Sequence, residues 1–261
     1  MSFAKQPAAL RLNKVPEVTL AFWAIKIMST TVGETGADYL AVHVGLGSAV
    51  TDGITMALLA TALILQLRAT RYIPWVYWLT VVLVSVVGTQ ITDLLTDGMD
   101  ASLYVSTPVF AAVLAAIFAT WYRVERTLSI HTIVTLRREL FYWSAILCTF
   151  ALGTAAGDLA TEALGLGFNL GVIVFGGMIA LIAMAYYYYD ADAVRCFWLT
   201  YILTRPLGAS LGDLLSQSRD YGGLGFGTIY TSIGFLVAIV ALVGVLSLKQ
   251  SAASIQVENK S

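Results

Sequence analysis

FWAIKIMSTTVGETGAD, residues 22–38, returns three times along the chain: as YWLTVVLVSVVGTQITD at 77–93, YWSAILCTFALGTAAGD at 142–158 and FWLTYILTRPLGASLGD at 197–213. In each copy an aromatic residue precedes a tryptophan, Trp23, Trp78, Trp143 or Trp198. Ten residues on stands a glycine (Gly33, Gly88, Gly153, Gly208), and fifteen on an aspartate (Asp38, Asp93, Asp158, Asp213). Four ungapped matches of one pattern make an internal repeat, and self-similarity at such a period has to be read before any single element. The Trp-to-Trp intervals of 55, 65 and 55 residues pair repeat one with two and three with four.

Outward from these segments the chain is apolar. Of 261 residues 58% are hydrophobic and 12% charged, about half the charge of an ordinary soluble domain. Apolar runs recur throughout, and a bilayer-crossing helix needs about 20 such residues. The expected spans are 16–39, 48–67, 73–95, 103–122, 139–160, 167–189, 196–216 and 227–248. Each repeat then carries two spans, so all four repeats sit the same way up, with parallel pseudo-symmetry. The expectation is an all-α integral membrane protein of eight transmembrane helices, built from four two-helix repeats in two duplicated four-helix halves.

The halves are 15–122 and 139–248, joined by a cytoplasmic loop at 123–138 and flanked by cytoplasmic tails, 1–14 and 249–261. Lys5, Arg11, Lys14, Arg68, Arg71, Arg123, Arg126, Arg137, Arg138, Arg195, Lys249 and Lys260 all fall on one side of this topology. The positive-inside rule makes that side the cytoplasm and places both termini there. No cleavable signal sequence is expected in the polar, basic residues 1–15. Cys148 and Cys196 form no C-x-x-C pair, and no basic patch lies outside the cytoplasmic loops, so redox chemistry and nucleic-acid binding have no support.

The segments VGETGAD, GTQITD, GTAAGD and TRPLGASLGD resemble the bacterial family of uncharacterised membrane-anchored proteins, made of four tandem two-span repeats with a characteristic tryptophan. The resemblance runs from Lys14 to Leu248. It implies a multi-pass protein of the bacterial inner membrane and no particular activity.

Function has to come from the residues. The tryptophan at the start of each odd-numbered helix suits the lipid interface. Glycine at +10 with a small residue at +14 suits close helix approach. The four aspartates share one depth and either tie down their own helix ends or line a cavity; an oxygen-rich cluster suits hard cations. Asp52 and Asn169 read as helix-start residues. Departures from the repeat carry more functional information: Lys26 and Glu34 in repeat one, Gln90 in repeat two, and Arg205 before Pro206 in repeat four. Positions +3, +7, +11 and +15 fall on one helix stripe, which aligns Lys26, Glu34 and Asp38, and likewise Arg205 and Asp213. Pro206 frees a carbonyl near residue 202 for a ligand or for a neighbouring threonine.

These residues form either an ion-pair brace, Arg205 with Glu34 or Asp38, or a polar pathway. Five acids against two bases in the motif regions favour a cation: H⁺, Na⁺ or a hard divalent ion such as Mg²⁺ or Mn²⁺. The leading expectation is a secondary transporter or channel for a small cation. An intramembrane aspartyl-type enzyme and a structural or sensory subunit are the alternatives. No cofactor is expected; the partners are the bilayer, a small cation and possible further copies of the chain.

Overall fold

The computed structural model describes residues 13–43, 48–96 and 98–258; of these, the side chains of 37–43, 48, 162 and 253–258 are not described. All regular structure among the described residues is helical. Eight long helices follow one another there: α1 Leu20–His43, α2 Ser48–Arg68, α3 Pro74–Thr96, α4 Leu103–Glu125, α5 Leu136–Asp158, α6 Gly167–Tyr189, α7 Ala193–Ser216 and α8 Thr228–Glu258. Six of them, α2 to α6 and α8, are long and apolar enough to cross a membrane, so this is a multi-pass membrane protein in its helical make-up. In α1 and α7 the apolar run is interrupted by Lys26 and Glu34, and by Arg205 and Asp213.

Helix ends follow local chemistry. Pro74 opens α3, where its missing N–H costs nothing. The side chains of Thr135 and Asp192 accept bonds from the third residue after them and cap α5 and α7. Both helices therefore start three residues before the spans expected from hydropathy. α8 continues ten residues beyond its expected end at 248. Asp52 and Asn169 do not cap. Ser48 opens α2 four residues before Asp52, and α6 begins at Gly167 with no side-chain cap.

The helices form two concentric layers. The odd-numbered helices make a closed inner ring: α1 packs on α3, α3 on α5, α5 on α7, and α7 back on α1. Each outer helix packs chiefly on the inner helix of the following repeat: α2 on α3, α4 on α5, α6 on α7, and α8 on α1. The repeats are thus interleaved in a cycle with fourfold pseudo-symmetry. Burial follows this order, with 67% of the apolar window of α5 buried against 11% for α4 and α6. The outer helices expose large apolar side chains, among them Val105, Ile173, Leu181 and Val237, as a bilayer solvent allows.

The motif builds the ring twice over. Each tryptophan packs on the motif aromatic of the preceding repeat: Trp78 on Phe22 (5.5 Å between ring centroids), Trp143 on Tyr77 (5.5 Å), Trp198 on Tyr142 (6.2 Å) and Trp23 on Phe197 (5.6 Å). Trp78, Trp143 and Trp198 are buried, so they form core rather than the interface belt expected of them. Their indoles gain more from ring contacts between repeats than from lipid. Trp78 donates its N–H to the Tyr72 hydroxyl at 3.1 Å, and burial pushes that hydroxyl's pKa well above its ordinary range.

The glycines close the same cycle one level further along. A Cβ on Gly33 would collide with Ser85, one on Gly88 would stand 2.6 Å from the Cβ of Phe150, one on Gly153 would collide with Arg205, and one on Gly208 would stand 2.6 Å from Thr30. Every struck residue lies at +7 of the next repeat, and only a hydrogen at +10 admits it.

Candidate functional site

Position +7 is where the repeats differ most in polarity: Thr30, Ser85, Phe150 and Arg205. Arg205 is fully buried. The close approach at Gly153 leaves room for its stem, and its guanidinium crosses the centre of the ring to the +11 level. There Nη2 lies within hydrogen-bond distance of Glu34 Oε2 on α1 (2.5 Å), of the Thr154 hydroxyl on α5 (2.6 Å) and of the Thr89 hydroxyl on α3, three acceptors that share its two N–H groups. One nitrogen therefore meets the +11 residue of all three other repeats. The fourth +11 residue, Ala209, is small enough to leave this centre clear. Nε and Nη1 of Arg205 are buried and have no hydrogen-bond partner among the described residues.

Lys26 enters the same interior from α1 at +3. Its ammonium donates to Thr30 Oγ1 at 3.1 Å and lies over the rings of Phe150, at 4.0 Å, and Tyr201, at 4.4 Å. The two rings take the place of a carboxylate partner, since a cation is attracted to an aromatic face. Salt-bridge partners among the described residues go to Lys14, Arg137, Arg138, Arg195 and Arg205, and Lys26 has none. Around the ring centre the described side chains thus bring together two basic groups, Lys26 and Arg205, and the carboxylate of Glu34.

The remaining residues singled out by sequence fall elsewhere. Gln90 turns away from the ring centre, where its side-chain oxygen accepts from Thr55 of α2 at 2.6 Å. Asp93, Asp158 and Asp213 are half-buried and each has an interaction of its own. No group of three acids, histidines or cysteines able to hold a metal occurs among the described residues. The side chain of Asp38 lies outside the described residues. Pro206 is buried in α7, but the threonine beside it bonds the carbonyl of Tyr201, not that of Ile202.

Two polar groupings escaped the sequence reading. Thr89 and Thr154 share the +11 slot with Glu34, a coincidence visible once the repeats are set in register. The other lies at the opposite end of the bundle. Glu139, fully buried in the first turn of α5, takes a bond from Lys14 Nζ at 2.6 Å and from Gln66 Nε2 at 3.1 Å; Lys14 also donates to the carbonyl of Leu67 at 3.0 Å. Lys14 is therefore part of the folded body and not of a tail, because leaving Glu139 uncompensated in the interior costs more than ordering one lysine.

The whole chain can be set against known families. The profile of the Repeat of Unknown Function (DUF347) matches four times in tandem, over residues 21–72, 76–127, 141–192 and 196–251, and the chain belongs to that family. No curated protein and no solved structure matches it.

Proposed function

We propose that this member of the DUF347 repeat family is a secondary transporter for a small monovalent cation, H⁺ or Na⁺, with Glu34 as its exchange site. All eight helices span the bacterial inner membrane in this reading, with both termini in the cytoplasm. The observation that carries it is the Arg205 guanidinium at the centre of the ring, held by Glu34, Thr89 and Thr154 from the three other repeats. Ionisable side chains are expensive at membrane depth and by default mark a pathway.

The arrangement suits a carrier better than an open channel. While Arg205 holds the centre, its charge repels a passing cation. Glu34 can bind either the internal guanidinium or an external cation, so release of one is coupled to capture of the other. A single carboxylate with hydroxyl neighbours suits a monovalent ion, whereas Mg²⁺ and Ca²⁺ call for several carboxylate or water oxygens. Lys26, held by two rings and a hydroxyl, lies two turns from Glu34 on the same stripe of α1 and belongs to the same polar interior.

A structural or sensory subunit is the second reading, favoured by the sealed interior: Arg205 is fully buried and its pair braces α1 against α7. Uptake in proteoliposomes with a panel of H⁺, Na⁺, Mg²⁺ and Mn²⁺ separates the two. Flux of a monovalent ion that Glu34→Gln abolishes in a folded protein supports transport. No flux of any ion from correctly folded wild-type protein sinks it.

A further inference from the structure

Between the start of the inner helices and the Arg205 centre, two levels of the ring depart from fourfold symmetry. The residues before the four tryptophans are Phe22, Tyr77, Tyr142 and Phe197, and those at +3 are Lys26, Val81, Ile146 and Tyr201. Lys26 and the three tyrosines are all buried. The hydroxyls of Tyr77 and Tyr142 meet at 2.5 Å. Tyr201 lies near enough to both to interact with them, while its own hydroxyl has no hydrogen-bond partner among the described residues. On its other side the Tyr77 ring meets that of Tyr72, half-buried in the loop before α3, at 5.6 Å. Four tyrosines thus run from one end of the bundle, the cytoplasmic end in the proposed topology, to the ring over which Lys26 lies.

At the inner end of that line Lys26 lacks a counter-ion. The Thr30 hydroxyl gives its hydrogen to the carbonyl of Lys26 at 2.8 Å, so towards Nζ it is an acceptor only. The two ring faces donate nothing. Among the described residues the charge that acts on Lys26 is that of Arg205, of the same sign, and Glu34 is taken by Arg205. Glu139 on α5 is bound by Lys14 and Gln66, Cys148 turns to Phe110 of α4, and the buried residues of α2 and α8 include none that ionises. A guanidinium keeps its charge in such an interior, whereas a lysine can shed its proton. The neutral amine keeps its bond to Thr30 and gains a lone pair, and the unpartnered hydroxyl of Tyr201 is a donor.

We propose that Lys26 is a proton-binding site, neutral while Arg205 and Glu34 are paired and loaded through the hydroxyls of Tyr72, Tyr77, Tyr142 and Tyr201. The lone pair of Nζ takes the Tyr201 proton once the flexible stem swings it from the ring face to the hydroxyl. Tyr201 takes a proton from the Tyr77–Tyr142 pair, and that pair is refilled through Tyr72 from water. Each oxygen ends with the proton count it began with, and the net change is one proton from water to the amine. The proton is then the ion exchanged against the one at Glu34. That use rests on the transport reading; the site itself does not.

Nuclear magnetic resonance of the full-length protein in nanodiscs, with lysine isotope-labelled at Nζ, separates amine from ammonium nitrogen. Lys26→Met identifies the Lys26 signal, and Lys26→Gln does so if the first variant does not fold. The signal should be that of an amine at neutral pH and become that of an ammonium on acidification, while the other lysines stay ammonium throughout. An ammonium at Lys26 in neutral and mildly alkaline solution overturns the site. A pH-sensitive dye then follows proton uptake after a pH drop, and the part lost in Lys26→Met belongs to Lys26. Tyr201→Phe should slow that part on the order of 10²-fold, as loss of a positioned proton-transfer group does, and leave its amount unchanged. An unchanged rate in folded Tyr201→Phe and Tyr142→Phe overturns the path. The two readings fail separately. Absence of ion flux with a titrating Lys26 sinks transport and supports the proton site, and flux with a permanently charged Lys26 does the reverse.

Discussion

Trp23 packs on Phe197 at 5.6 Å between ring centroids, a contact that joins the first repeat to the last across 174 residues of sequence. It is the same contact that links each neighbouring pair of repeats, so the chain closes on itself and its two ends share one interface. α8 completes that closure by covering α1. Deleting residues 228–261 should therefore expose α1, the most distant helix in sequence. Cysteines placed at Thr35, which is buried and bonds Ser232 of α8 at 2.6 Å, and, as a control on α5, at the buried Ala145 should diverge, with labelling rising sharply at the first and little at the second. Equal labelling would mean that α8 does not shield α1.

Close approach at +10 predicts a sharp positional contrast among glycines. Gly208→Leu forces a branched side chain into Thr30 and should cost on the order of 1–3 kcal/mol or prevent folding. A Cβ on Gly234 of α8 meets no atom within 4 Å, so Gly234→Leu should be close to neutral. Thermal unfolding in detergent measures both; similar midpoints would show that α7 and α1 do not meet at Gly208.

The Arg205–Glu34 pair should behave as a coupled unit. Glu34→Gln or Arg205→Gln alone leaves a buried charge without its partner, at a cost of about 3–5 kcal/mol. The double mutant should recover a large part of that loss, giving a clear coupling energy in a double-mutant cycle. Additive single effects would mean that the two side chains do not interact in the membrane. Ion flux measured on the same variants adds the functional readout, and Asp158→Asn should lower stability before it alters flux.

Gln90 supplies a control for the pathway. Its bond runs outward to Thr55, so Gln90→Leu should cost about 1 kcal/mol and leave flux unchanged. Loss of flux in a folded Gln90→Leu protein would relocate the pathway to the space between α2 and α3.

Lys14 should be far more sensitive than an ordinary terminal lysine. Lys14→Met strips Glu139 of its counter-ion and should destabilise by about 3–5 kcal/mol, whereas Lys249→Met, at an exposed position on α8, should be neutral. Equal unfolding midpoints for the two variants would contradict the buried pair.

Orientation is tested separately. Reporters fused after Leu67, Arg126, Tyr189 and the C-terminus should read cytoplasm, and those near Asp100 and Arg219 the opposite side. A reversal at any one of these positions would break the eight-span topology.

Much of the architecture was legible from local pattern. The number of helices, the repeat and the small residues at +10 are properties of short segments, set by helical rise and side-chain size. The centre of the candidate site was half legible. Lys26, Glu34 and Arg205 stood out as charges in apolar helices, but the threonines that complete the site look like ordinary helix-packing residues until the ring places them. Gln90 and the aspartates stood beside Glu34 as candidates for one polar pathway. A shared stripe on separate helices does not reveal which stripes face one another.

By itself the sequence determined a multi-pass helical protein of four repeats, with the charges that depart from the repeat, Lys26, Glu34 and Arg205, in α1 and α7. Only the tertiary structure decided which helices touch. Because every repeat carries the same motif, an outer helix meets similar apolar surfaces on its own inner helix and on the next one, and no local signal distinguishes the two. The choice of the next repeat closes the cycle and brings Glu34 to Arg205, and it is made by packing between residues far apart in the chain: hydrogen-only gaps at four glycines, four aromatic contacts between repeats, and one guanidinium long enough to reach all three other repeats at the centre.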